Sequence, residues 1–92
     1  MTNPIIDSGG NKRWQNEYGQ LHRESGPAIE YADGGTSWWI NGEVHREDGP
    51  SEDYASGYRA WSINGIEHRE DGPAIEYGNG RKEWYIHGKQ IT

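Results

Sequence analysis

The sequence has no cysteine and no phenylalanine, and a single methionine. Without cysteine there is no disulfide framework, no thiolate metal ligand and no cysteine nucleophile. Apolar residues are scarce, at 30% of the 92 residues, where globular domains carry nearly half. The longest run of large apolar side chains is Trp38-Trp39-Ile40. That is too short for a membrane-spanning helix or a signal-peptide core. The expectation is a cytoplasmic protein, in the host cytoplasm if the chain is phage-encoded. Positive charge is also in deficit: 9 Lys and Arg face 15 Asp and Glu, for a net charge of −6. This disfavours direct binding to nucleic-acid phosphates and suits docking on a basic partner. No window of ten residues carries a helical period.

What the chain does have is aromatic side chains and glycine. Low hydropathy and high net charge would by themselves suit a disordered chain. Five Trp, six Tyr and 14 Gly point instead to a lean β protein with an aromatic core. The residues also recur. All four prolines, Pro4, Pro27, Pro50 and Pro73, stand 23 apart, and four units of 23 fill the chain. Gly19, Gly42, Gly65 and Gly88 keep the same step. So do His22, His45 and His68, each followed by Arg and Glu, and the Tyr31, Tyr54, Tyr77 and Trp38, Trp61, Trp84 series. The chain therefore reads as one repeat domain over 1–92, with a degenerate unit 4–26 followed by units 27–49, 50–72 and 73–92.

Within the second unit, Ala28 to Tyr31 reads as a short strand and Asp33-Gly34-Gly35 as a turn. Thr36 to Ile40 reads as a second strand, with Trp38 and Ile40 on one face and Trp39 on the other. Asn41-Gly42, repeated as Asn64-Gly65, is a type I′ hairpin signal. Glu43 to His45 reads as a short third strand or an extended link. The expected fold class is all-β: an elongated antiparallel meander of about four hairpin repeats in a single sheet. In the first unit one extra residue separates Trp14 from Gly19, which suggests a bulge. Residues 1–3 are expected to fray.

This pattern resembles the MORN repeat family in its bacterial and viral variant form. The likeness lies in Trp38…Asn41-Gly42…His45…Gly49…Tyr54 and in Trp61…Asn64-Gly65…His68…Gly72…Tyr77. It covers residues 12–92 well and the N-terminus poorly. Many MORN repeats have His-Gly-x-Gly where this chain has His-Arg-Glu-Asp-Gly-Pro, or His-Arg-Glu-Ser-Gly-Pro at His22. The resemblance implies a single-layer sheet of stacked hairpins and binding to proteins or membrane lipid, with antitoxin-like partners in bacteria. It does not imply catalysis. The extra charge in the linking loop weighs against lipid.

In a repeat array, recurring residues mostly build the unit. The Trp and Ile pairs are thus expected to form a stacked core. The His-Arg-Glu series reads as structural, each His supporting its own turn and each Arg pairing with a nearby carboxylate. Equivalent His residues lie roughly 9–10 Å apart at the usual strand spacing, too far to share one zinc ion. A phosphate-binding row of Arg23, Arg46 and Arg69 is disfavoured by the carboxylate after each. Ser25 near His22 has no evident Asp orienter, and its position becomes Asp48 and Asp71 in later units. No catalytic residue, cofactor or metal is therefore expected.

The departures mark the candidate site. Glu52 stands where neighbouring units have Ile29 and Ile75, and Asp53 follows it. Tyr58 stands where they have Gly35 and Arg81, and Trp39 and Tyr85 flank a small Ser62. Aromatics among acids have the composition of a protein-binding patch; the alternative is that they simply extend the sheet's second face. The partner-binding candidates are Trp39, Glu52, Asp53, Tyr58 and Tyr85. The function these suggest is a small acidic inhibitor, antitoxin-like or of the phage counter-defence, anti-CRISPR-like kind. It would mask a partner's surface, such as a basic nucleic-acid-binding groove. The alternative is a self-associating structural repeat, or a membrane-associated one.

Overall fold

The computed structural model describes residues 3–91; of the stretch expected to fray, Met1 and Thr2 lie outside them. The described residues form only strands and turns. In chain order these are β1 (Ile5–Ile6), β2 (Lys12–Arg13), β3 (Ile29–Glu30), β4 (Thr36–Ser37), β5 (Trp39–Ile40), β6 (Glu43–Val44) and β7 (Glu52–Asp53). They continue as β8 (Arg59–Ala60), β9 (Ser62–Ile63), β10 (Ile66–Glu67), β11 (Ile75–Glu76), β12 (Lys82–Glu83), β13 (Tyr85–Ile86) and β14 (Lys89–Gln90). Eight strands form one antiparallel sheet in the order β1-β2-β3-β4-β7-β8-β11-β12. This is the expected meander, and it is elongated, measuring 40 × 25 × 17 Å.

The meander is not the whole fold. β5–β6, β9–β10 and β13–β14 form three further two-stranded hairpins, small additions to the one main sheet. The expected strand 36–40 is broken at Trp38. Its N–H donates to the Ser51 carbonyl, continuing the main ladder, while its carbonyl accepts from His45 N–H, opening the hairpin. Trp61 does the same between Ala74 and His68. Each Trp therefore passes the chain from one ladder to the other. The hairpins are also tied to one another: Gly42 N–H reaches the Leu21 carbonyl, and Gly65 N–H reaches that of Val44.

The Asn-Gly signals hold. Asn41 and Asn64 lie at φ 48° and 50°, followed by Gly42 and Gly65 at 83° and 79°, as a type I′ turn demands. In the first unit the extra residue sits in the turn rather than in a strand. Gln15 bridges Leu21, and Asn16 Oδ1 accepts from the N–H groups of Tyr18 and Gln20 at 2.9 and 3.0 Å. The three-residue loop ends on Gly19 at φ 79°, the geometry of a G1 bulge.

The expected aromatic core is corrected as well. The fully buried positions are small: Ala28, Ala74, Ser37 and Ser51, with Ala60 and Ser62 close behind. Trp38, Trp61 and Trp84 are half-buried. Trp14 is buried, and it, Trp38 and Trp61 each lie under a cation. Arg23, Arg46 and Arg69 lie 3.8, 3.9 and 3.8 Å above the Trp14, Trp38 and Trp61 rings. Each guanidinium also donates to the carbonyl of the following proline, at 3.2, 3.1 and 3.0 Å. A Cβ at Gly49 or Gly72 would come within 2.9 or 2.8 Å of the Arg Cζ, which explains the glycine before those two prolines.

The histidines do not support their own turns, as expected, but the next unit's. Nδ1 of His22, His45 and His68 accepts from the backbone N–H of Asn41, Asn64 and His87 at 2.9, 3.0 and 2.9 Å. With Nδ1 accepting, the neutral ring carries its proton on Nε2, which faces Glu24, Glu47 and Glu70 at 3.4, 3.3 and 3.4 Å. Each histidine thus couples one repeat to the turn of the following one.

Candidate functional site

The register sorts the main sheet into two faces, because residues directly opposite in an antiparallel ladder project to the same side. One row runs Arg13, Ile29, Ser37, Glu52, Ala60, Ile75, Glu83; the other runs Lys12, Glu30, Thr36, Asp53, Arg59, Glu76, Lys82. The second face is internally charge-paired. Arg59 meets Asp53 at 3.6 Å, and Arg23 and Arg69 meet Glu30 and Glu76 at 3.2 Å each.

The first face is aromatic. Tyr31, Tyr54 and Tyr77 stand two residues beyond its row, and Tyr58 two before Ala60, so all four rings project on that side. They form a continuous ladder: Tyr31 to Tyr54 at 5.7 Å edge-on, Tyr54 to Tyr58 at 5.8 Å stacked, Tyr58 to Tyr77 at 5.5 Å edge-on. The hairpins continue this face past the Trp junctions. Trp39 Nε1–H donates to Ser37 Oγ at 2.9 Å, and Tyr85 O–H to Glu83 Oε1 at 3.3 Å. Ser62 occupies the same repeat position in the third unit. Its hydroxyl is buried and has no partner among the described residues.

Four of the five sequence candidates, Trp39, Glu52, Tyr58 and Tyr85, therefore share one face. Asp53 does not: it lies on the opposite, charge-paired face against Arg59, and is removed from the site. The four are not gathered in one pocket. Trp39 and Tyr85 belong to repeats two units apart, roughly 19 Å at the usual strand spacing, with Glu52 and Tyr58 between them.

The electrostatics of this face centre on carboxylates. Glu52 is half-buried and accepts from Tyr54 O–H at 2.7 Å. Desolvation, and then this bond to Glu52, hold the Tyr54 phenol well above the usual tyrosine range. Tyr58 is raised by desolvation and then by the charges of Glu52, Tyr77, Glu67 and Glu83. Tyr85 is raised by desolvation, then by Glu83. Glu67, directly across from Ser62 in its hairpin, was absent from the sequence candidates, as were Tyr54 and Tyr77. The 23-residue recurrence of the tyrosines had marked them only as structural. Among the described residues neither Glu52 nor Glu67 has an ion-pair partner, whereas Glu83 is held by Arg81 at 3.0 Å.

Elsewhere an open groove of about 1110 Å³ is lined by Trp61, Ile63, Ile66, His68 and His87 and by the loops at 46–50 and 69–71. Ile66 could have signalled it, since the other units have Glu43 and Lys89 there. Its rim carboxylates are already engaged. Asp48 and Asp71 bind Arg46 and Arg69 at 2.9 and 3.0 Å, and the Arg46 bond holds the Asp48 carboxyl below its usual range. Among the described residues no three His, Asp or Glu side chains converge on a metal position, and no helix is long and apolar enough to cross a membrane.

The chain matches no protein-family model, no curated protein and no solved structure.

Proposed function

We propose that the protein is a non-enzymatic binding module that masks the surface of a basic protein partner with its tyrosine and glutamate face. The observation that carries this reading is the asymmetry of the main sheet. One face pairs the carboxylates of its row, Glu30, Asp53 and Glu76, with arginines; the other presents a ladder of half-buried aromatics around Glu52 and Glu67, which have no ion-pair partner among the described residues. Aromatic anchors beside uncompensated carboxylates favour a partner that brings positive charge and apolar surface together. The net charge of −6 adds long-range attraction to such a partner. An inhibitor of the antitoxin or phage counter-defence kind would act this way, its carboxylates replacing phosphates on a nucleic-acid-binding groove. The MORN-like repeat pattern is compatible with protein binding of this sort.

Affinity capture from the native host's lysate tests the reading, with mass spectrometry of what is retained. The wild type is expected to retain a basic protein that Glu52→Lys and Tyr58→Ala baits lose and that a Glu76→Gln bait keeps. Retention by all three variants would contradict docking on this face. A sharp loss with added salt is expected too, because charge attraction is screened over a Debye length of about 8–10 Å.

A further inference from the structure

We propose that Tyr54, Tyr58 and Glu52 of the third unit receive a guanidinium group, presented by an arginine side chain of the basic partner. This rests on the docking reading above and names the chemistry its central contact would recognise. The chain itself shows how its repeats treat a guanidinium. Three times one sits over a Trp ring and pairs with a carboxylate: Arg23 with Glu30, Arg46 with Asp48, Arg69 with Asp71.

A fourth instance lies on the docking face. In the last unit the Arg81 guanidinium sits 5.3 Å from the Tyr77 ring centroid and pairs with Glu83 at 3.0 Å. The third unit has the same tyrosine, Tyr54, but Tyr58 where the last unit has Arg81. Its carboxylate, Glu52, is held only by the Tyr54 hydroxyl at 2.7 Å. The third unit has Ala60 where the last has Glu83, but Glu52 lies directly across the ladder from Ala60 and brings a carboxylate to the same place, while Tyr58, stacked on Tyr54 at 5.8 Å, supplies a second ring instead of the cation. Farther along the same face, Ser62 Oγ is buried without a partner among the described residues, and Glu67, directly across from it, has no ion-pair partner among them. A guanidinium suits this place better than an ammonium. It is planar and less strongly hydrated, so it can stack on a ring while donating two bonds to one carboxylate.

The test titrates end-blocked hexa-arginine and hexa-lysine, which carry equal charge, into the full chain at low salt. The arginine peptide is expected to bind about fivefold tighter or better, given the preference of aromatic faces and carboxylates for guanidinium. Tyr58→Arg, which copies the last unit and fills the place internally, and Glu52→Gln should each erase that preference. The exposed Glu17→Gln, matched to the latter in charge, should keep it. A melting curve confirms that each variant is folded. Equal binding of the two peptides, with loss in Glu52→Gln, would overturn the guanidinium assignment and leave docking of a basic partner standing. A preference unchanged by Tyr58→Arg would overturn the assignment too. No binding of either peptide would count against both readings.

Discussion

Gly78→Ala is expected to lower the melting temperature by about 10–20 °C, although the repeat has alanine at the equivalent Ala32 and Ala55. A Cβ at Gly78 would clash with the Ser56 carbonyl oxygen and stand 3.6 Å from Gly57 Cα. The obstacle is backbone, so no side chain can swing away. The turn of the last unit must instead lift off the turn of the third, at a cost of about 2–3 kcal/mol for an overpacked contact. Ala55→Gly, at the same repeat position one unit earlier, should change stability by less than about 1 kcal/mol, the scale of a turn's backbone entropy. Thermal denaturation followed by circular dichroism measures both. A Gly78→Ala variant melting with the wild type would mean that the two turns do not approach as described.

The second large effect is at Trp61. Trp61→Ala is expected to cost about 2–4 kcal/mol. It removes a half-buried indole and the stacking surface beneath Arg69, the latter alone being about 1 kcal/mol. The cost is less than the full-burial range because solvent reaches part of the ring. Arg69 would keep its bonds to Pro73, Asp71 and Glu76, so the loop should survive while the junction loosens. Trp84→Ala should cost roughly half as much, since the position eight residues on is Thr92 rather than Arg. Urea titration of both variants measures the difference. Equal losses would show that the guanidinium adds nothing to its ring.

The sequence carried the parts of this fold whose causes are local. An Asn-Gly pair needs positive φ at both residues wherever it occurs, and the 23-residue step placed the turns of the second and third units correctly. The break at Trp38 was hidden because alternation continues across it: Ser37 and Trp39 still share a side. What changes there is the hydrogen-bonding partner, which no local pattern encodes. The histidine bonds were hidden for a similar reason, each spanning 19 residues. For the candidate site the repeat was a good guide to the exceptions. Glu52, Tyr58, Trp39 and Tyr85 depart from it and share a face. Asp53 could have been excluded at once, because adjacent residues on a strand point to opposite sides. Tyr54, Tyr77 and Glu67 were obscured: recurrence marked the tyrosines as framework, and only the folded register brings Glu67 to the same face.

The face that meets the partner is read most directly by site-specific photo-crosslinking in the native host. A photoreactive residue is placed singly at Tyr58 and Tyr85 on the tyrosine face, and at Arg59 and Lys82 on the charge-paired face. Crosslinks to one basic protein from Tyr58 and Tyr85, and none from Arg59 and Lys82, are the predicted result. Crosslinks only from Arg59 and Lys82 would contradict it, by placing the partner on the face whose row carboxylates are already paired.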